Sequence, residues 1–164
     1  MLFVSTRGQT GKVSAAHAIK EGLAGDGGLF VPQSFPYFSL ETILGMHALP
    51  YEQFAAKILS YFLTDYTADE LTECAAAAYA AGKFGPDPAP LRKVGERTDV
   101  LELWHGPTMA FKDIALQILP HLMTKAQEKT GSDTRIVILA ATSGDTGKAA
   151  LEGKRGFCSE QPCD

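Results

Sequence analysis

Ile136-Val137-Ile138-Leu139-Ala140-Ala141-Thr142-Ser143-Gly144-Asp145-Thr146-Gly147-Lys148 passes from an unbroken apolar run straight into small polar residues. A run of that length bounded by Gly reads as a buried strand, Arg135 to Ala141, followed by a tight loop and a helix start. Upstream, Leu91 to Val94 and Val100 to Trp104 read as strands, and Thr108 to about Lys129 as one helix kinked near Pro120. Strands alternating with helices predict an α/β fold with a parallel sheet. Ligands of such sheets gather beyond the carboxyl ends of the strands, which brings residues 105 to 112 and the 142 to 147 loop within reach of one pocket.

The loop has the chemistry of an anion site. Small residues let backbone approach a ligand, loop N–H groups and a helix N-terminus favour a carboxylate or phosphate, and Thr142, Ser143 and Thr146 add hydroxyls. An ordinary βα connection with a Ser, Asp or Thr cap explains the same residues equally well. It is no Walker A loop: Thr142 stands where that motif needs glycine, and Ala149 where it needs Ser or Thr. Gly8-Gln9-Thr10-Gly11-Lys12-Val13 fails likewise, which disfavours a nucleotide-binding protein.

A second chemical signal lies in Leu101-Glu102-Leu103-Trp104-His105-Gly106-Pro107-Thr108-Met109-Ala110-Phe111-Lys112-Asp113. Lys112 stands among Met109, Ala110, Phe111, Ile114, Ala115 and Leu116, groups that solvate an ammonium poorly, and in the first turn of a helix begun by Thr108. A desolvated lysine suits Schiff-base formation. The commoner fate of a lysine in such company is to extend its ammonium to water from a buried stem. His105, Thr108 and Asp113 suit supporting roles, as a packed histidine, a helix cap and a first-turn acid.

Taken together, His105 to Asp113 followed by Ala141 to Gly147 resembles threonine synthase. Ser5-Thr6-Arg7-Gly8, Gly22-Leu23-Ala24, Asp26-Gly27-Gly28-Leu29-Phe30-Val31-Pro32 and Ala89-Pro90-Leu91 resemble the N-terminal pattern of the same family, in order and at the family's spacing. The resemblance covers residues 2 to about 153. It implies a fold type II enzyme with pyridoxal 5'-phosphate bound to Lys112, converting O-phospho-L-homoserine and water to L-threonine and phosphate. Lys112 is then cofactor anchor and acid/base. Thr142, Ser143, Gly144, Thr146 and Gly147 match the loop that cradles the substrate carboxylate, with Asp145 near the cofactor ring. The loop alone also fits a serine or threonine dehydratase of the same superfamily, and a non-catalytic interaction module remains a further alternative.

The resemblance stops at Gly153, and the polar stretch from Lys154 to Asp164 departs from it. The expectation is an N-terminal fragment that lacks the cofactor-phosphate loop and the rest of the central sheet, with apolar surface left uncovered. Its expected parts are a mostly helical unit over 1–84, a linker over 85–90 set by Gly85-Pro86-Asp87-Pro88-Ala89-Pro90, a partial α/β core over 91–153 and an anomalous tail over 154–164.

Composition narrows the class further. A net charge of -4, with basic residues scattered rather than striped, argues against a nucleic-acid partner. Three cysteines without paired Cys-x-x-Cys spacing suggest no metal site and a reduced, cytoplasmic setting. No basic leader followed by an apolar core, and no run of about eighteen apolar residues, argues for secretion or a membrane. Partners are expected to be small molecules.

Within residues 1–84, the sequence predicts strands at Leu2 to Val4 and Gly27 to Pro32 and a helix over Ser14 to Glu21. Ser39 caps another, Pro50 opens one with Phe54, Ile58, Tyr61 and Phe62 on a face, and Thr67 starts an alanine-rich helix to about Ala81.

Overall fold

The computed structural model describes residues 1–133, 136, 137 and 139–155. Arg135 and Ile138 of the predicted strand, and most of the 154–164 stretch, lie outside the described residues. The chain is α/β and forms two compact units, Met1–Ala76 with Leu122–Thr134, and Ala77–His121 with Arg135–Asp164.

In the first unit, β1 (Phe3–Ser5) pairs antiparallel with β2 (Phe30–Pro32), Val4 opposite Val31. Asp26 closes this β unit: its carboxylate accepts from the Ser5 hydroxyl at 2.6 Å, the Gly28 N–H at 2.9 Å and the Gln9 N–H at 3.0 Å. These donors, the Ser5 hydroxyl first, hold its pKa below the usual carboxylate range. A side chain at Gly28 would collide with the Ser5 hydroxyl, so the Asp-Gly-Gly motif reflects a packing requirement.

The first helix, α1 (Ala15–Glu21), starts where the Ser14 side chain accepts the His17 N–H, and buries Ala15, Ala16 and Ala18. α2 (Leu40–Met46) is capped the same way by Ser39, and α3 (Tyr51–Phe62) follows Pro50. On α3, Tyr61 and Phe62 meet Phe38 and Phe35 edge to face, whereas Phe54 is exposed and Ala56 is the buried position.

Thr67 and Glu70 form a reciprocal cap at the start of α4 (Ala68–Ala78): Thr67 N–H to the Glu70 carboxylate at 2.7 Å, and Glu70 N–H to the Thr67 hydroxyl at 3.2 Å. α4 ends three residues before the predicted limit, and a short α5 (Ala81–Phe84) follows. Within the first unit, α4 is joined to α7 (Leu119–Thr130) by Lys129–Glu70 at 2.7 Å and Lys125–Glu73 at 3.6 Å. The Tyr66 hydroxyl adds a bond to the Leu122 carbonyl at 2.9 Å.

The two strands described in the second unit form a hairpin. β3 (Leu91–Gly95) and β4 (Thr98–Leu101) pair antiparallel, with a register shift between Lys93 and Gly95. The connection is the cause: two residues, Glu96 and Arg97, close a hairpin, whereas parallel neighbours need a crossover of roughly a dozen. No parallel pairing occurs among the described residues.

The single helix predicted over Thr108 to Lys129 is two, α6 (Asp113–Leu116) and α7, interrupted at Gln117 and Ile118. Pro120 kinks neither; it is the second residue of α7, where a helix needs no N–H. α8 (Asp145–Lys154) follows the loop.

The predicted buried strand before α8 is described only at 136, 137 and 139–141. Its described residues form no strand, and Val137 and Leu139 are 80% and 94% exposed. A strand exists through its neighbours, and among the described residues no strand pairs with this segment. Exposed apolar runs of this kind drive association. The double substitution Val137→Lys, Leu139→Lys is expected to raise the monomer fraction of the purified chain in sedimentation velocity; an unchanged distribution would contradict this account of the surface.

Candidate active site

The turn that carries Lys112 is organised by a buried carboxylate. Asp113 is 0% exposed and receives two bonds from Thr108, the N–H at 2.8 Å and the hydroxyl at 2.8 Å. Gly106 makes the room: a Cβ there would stand 2.5 Å from the Asp113 Cβ and Oδ2. The chain turns between them with Met109 N–H on the Gly106 carbonyl and Asp113 N–H on that of Ala110, both at 3.0 Å. Met109 takes φ of 57°, a strained value for a side-chain-bearing residue that persists because its surroundings fix the turn.

This geometry replaces the expected role of Thr108, whereas Asp113 is the first-turn acid of α6 as expected. Thr108 does not cap α6, which begins five residues later; instead the acid of α6 holds Thr108. Lys112 occupies the position just before α6 in right-handed helical geometry and is half-buried, its ammonium 5.1 Å from the Phe111 ring centre. The expected apolar enclosure is incomplete: Ala110 is buried, but Met109 and Phe111 are exposed.

His105 stands at the entry to this turn. Its Nε2 lies 2.7 Å from a Glu102 carboxylate oxygen, Trp104 stacks on the ring, and Arg92 Nε is 3.8 Å from the same oxygen. His105 also lines an open cleft of about 340 Å³ with Phe84, Pro86, Asp87, Leu91 and Arg92. Lys112 and the 142–147 loop are not among the residues lining that cleft.

Thr142 shapes the loop: its hydroxyl accepts the N–H groups of Gly144 at 3.1 Å and Gly147 at 3.0 Å. It serves the loop's own backbone in this arrangement. Gly144 reaches φ of 140°, which only glycine adopts freely, and Asp145 then opens α8. Ser143, Gly144 and Asp145 are exposed, Thr146 and Gly147 half-buried.

Structure brings the two predicted motifs together through residues that the sequence reading did not assign to the site. The Lys148 ammonium donates to the Thr108 carbonyl at 2.8 Å. Behind it, Gln117 Nε2 reaches the Ala149 carbonyl at 3.5 Å, and Gly153 lies so close to the Leu116 carbonyl that a Cβ would collide with it. The available sequence signals were the glycine at 153 and a lysine beside the loop, and neither points to a partner without the fold.

The Asp113 lock has a measurable worth. Asp113→Ala strands a buried N–H and hydroxyl, and is expected to lower unfolding free energy by about 3 kcal/mol in urea titration. Asp113→Asn, which keeps one acceptor oxygen, should lose less. A midpoint unchanged in the alanine variant would contradict the lock.

Residues 2–79 match the family described as threonine synthase N terminus. Along 94% of its length the chain is 44% identical to threonine synthase of Pseudomonas aeruginosa, of which it covers 33%, and along 89% it is 40% identical to that of Escherichia coli, of which it covers 32%. The structure of threonine synthase from Brucella melitensis with bound pyridoxal phosphate superposes with a TM-score of 0.84 at 39% identity, over 93% of this chain and 32% of that one. The Escherichia coli enzyme gives a TM-score of 0.82 at 36% identity, over 96% and 35%. The chain thus spans about a third of the length of the curated relatives that it matches, and over that third it is similar to threonine synthases.

Proposed function

We propose that this chain supplies the lysine-bearing part of a pyridoxal 5'-phosphate-dependent threonine synthase, which converts O-phospho-L-homoserine and water to L-threonine and phosphate. The observation that carries the reading is the bond from Lys148 to Thr108, which ties the Lys112 turn to the 142–147 loop within one compact unit.

The residues present fit their share of the cofactor. Lys112 offers a primary amine at a half-buried position on a turn held by Asp113, so the amine is accessible while its backbone is fixed. When bound, the cofactor acts as an electron sink for the substrate's carbon skeleton. Lys112 anchors it covalently and moves protons at Nζ. Ser143, Gly144, Thr146 and Gly147, with Thr142 bracing them, would hold the substrate carboxylate, and Asp145 would be the loop's residue toward the cofactor. His105, Thr108 and Asp113 support the Lys112 turn. The residues that hold the cofactor's phosphate belong, on this reading, to the part of the family's length that this chain does not span.

The functional division follows the same logic: a helical unit over 1–84, a Gly-Pro linker over 85–90, and the half-site over 91–153. No helix among the described residues is long and apolar enough to cross a membrane. Cysteines without paired Cys-x-x-Cys spacing support a reduced, cytoplasmic setting, and the partners are small molecules.

The test is chemical labelling. Purified chain incubated with pyridoxal 5'-phosphate and reduced with borohydride is expected to carry its label on the Lys112 peptide, and Lys112→Ala to lose it. Label spread over surface lysines and unchanged in Lys112→Ala would overturn the proposal.

A further inference from the structure

We propose that Lys148 is a positioning residue, whose ammonium on the Thr108 carbonyl holds the 142–147 loop in register with the Lys112 turn. The inference rests on the roles proposed for Lys112 and that loop.

The argument begins with what Thr108 can do. Its N–H and hydroxyl are both committed to the buried carboxylate of Asp113, and Asp113 follows Lys112 directly in the chain. The Thr108 carbonyl therefore moves with the Lys112 turn. Lys148 grips that carbonyl from the first turn of α8, immediately after the loop, with its own N–H on the Gly144 carbonyl at 2.9 Å. A lysine so near a helix N-terminus opposes the helix dipole, so local helix electrostatics do not account for where its charge lies.

The two ends of the α6–α8 contact differ in kind. Toward the C-terminal end, Gly153 against the Leu116 carbonyl and Gln117 on Ala149 form a close backbone approach. At the loop end, the chain pivots at Gly144, a residue whose φ of 140° leaves it free of side-chain restraint, and the side chain of Lys148 is the link that reaches across. Removing that link frees the loop to move about Gly144 while α8 stays seated at Gly153. The bond is only part-buried, so its effect is local and modest.

Amide hydrogen exchange on the chain without added cofactor tests this, comparing wild type with Lys148→Met and Lys148→Arg, and thermal unfolding of each serves as the folding control. The expected result is about fivefold faster exchange in Lys148→Met over both 106–112 and 142–148. Exchange over α3 and α4 and the thermal midpoint should stay unchanged, and Lys148→Arg should restore wild-type exchange. Exchange unaltered in either segment, acceleration spread to α3 and α4 with a lowered midpoint, or failure of Lys148→Arg to restore it would each overturn the proposal. Because the readout involves no cofactor, it stands apart from the labelling of Lys112: wild type that fails to label there defeats the functional reading and leaves the coupling result intact.

Discussion

A single buried carboxylate fixes the turn on which the proposed chemistry depends. A buried carboxyl group is tolerated only when its oxygens are hydrogen-bonded, and Asp113 meets that condition with the N–H and hydroxyl of Thr108. The bonds force the intervening residues into a tight turn, and the turn requires glycine at 106 and the left-handed backbone of Met109. Lys112 projects from the end of that turn with its backbone immobilised by its neighbour. On the proposed function, the motif His-Gly-Pro-Thr-Met-Ala-Phe-Lys-Asp has one residue for the reaction and several that hold it still.

The features that sequence reading captured are those decided by local chemistry. Ser14, Ser39 and the Thr67–Glu70 pair each satisfy N–H groups within a single turn, and Pro50 opens α3, so the starts of α1 to α4 were legible. The features that it mistook depend on contacts distant in sequence or on short connections. Glu96 and Arg97 close a hairpin too quickly for a parallel neighbour, and α6 and α7 are separated at Gln117 and Ile118, both of them buried. Thr108 was read as a cap because threonine before a helix usually is one; a carboxylate five residues later claimed it.

The site was legible to the same extent. Lys112 and the 142–147 loop stood out through residue type and order, and the family resemblance joined them. What joins them physically, Lys148 on the Thr108 carbonyl with Gly153 against Leu116, is a matter of three-dimensional approach. The exposed Val137 and Leu139 carry a related lesson. Their apolar pattern is that of a strand, yet pattern alone supplies no neighbour, and the relatives whose length this chain spans by a third have far more polypeptide with which to provide one.

The most direct test is a chimera in which residues 1–153 replace the matching third of the Pseudomonas aeruginosa threonine synthase, assayed for phosphate release from O-phospho-L-homoserine. The account predicts release that Lys112→Ala abolishes. A folded, cofactor-loaded chimera that releases no phosphate, or whose release survives Lys112→Ala, would contradict it.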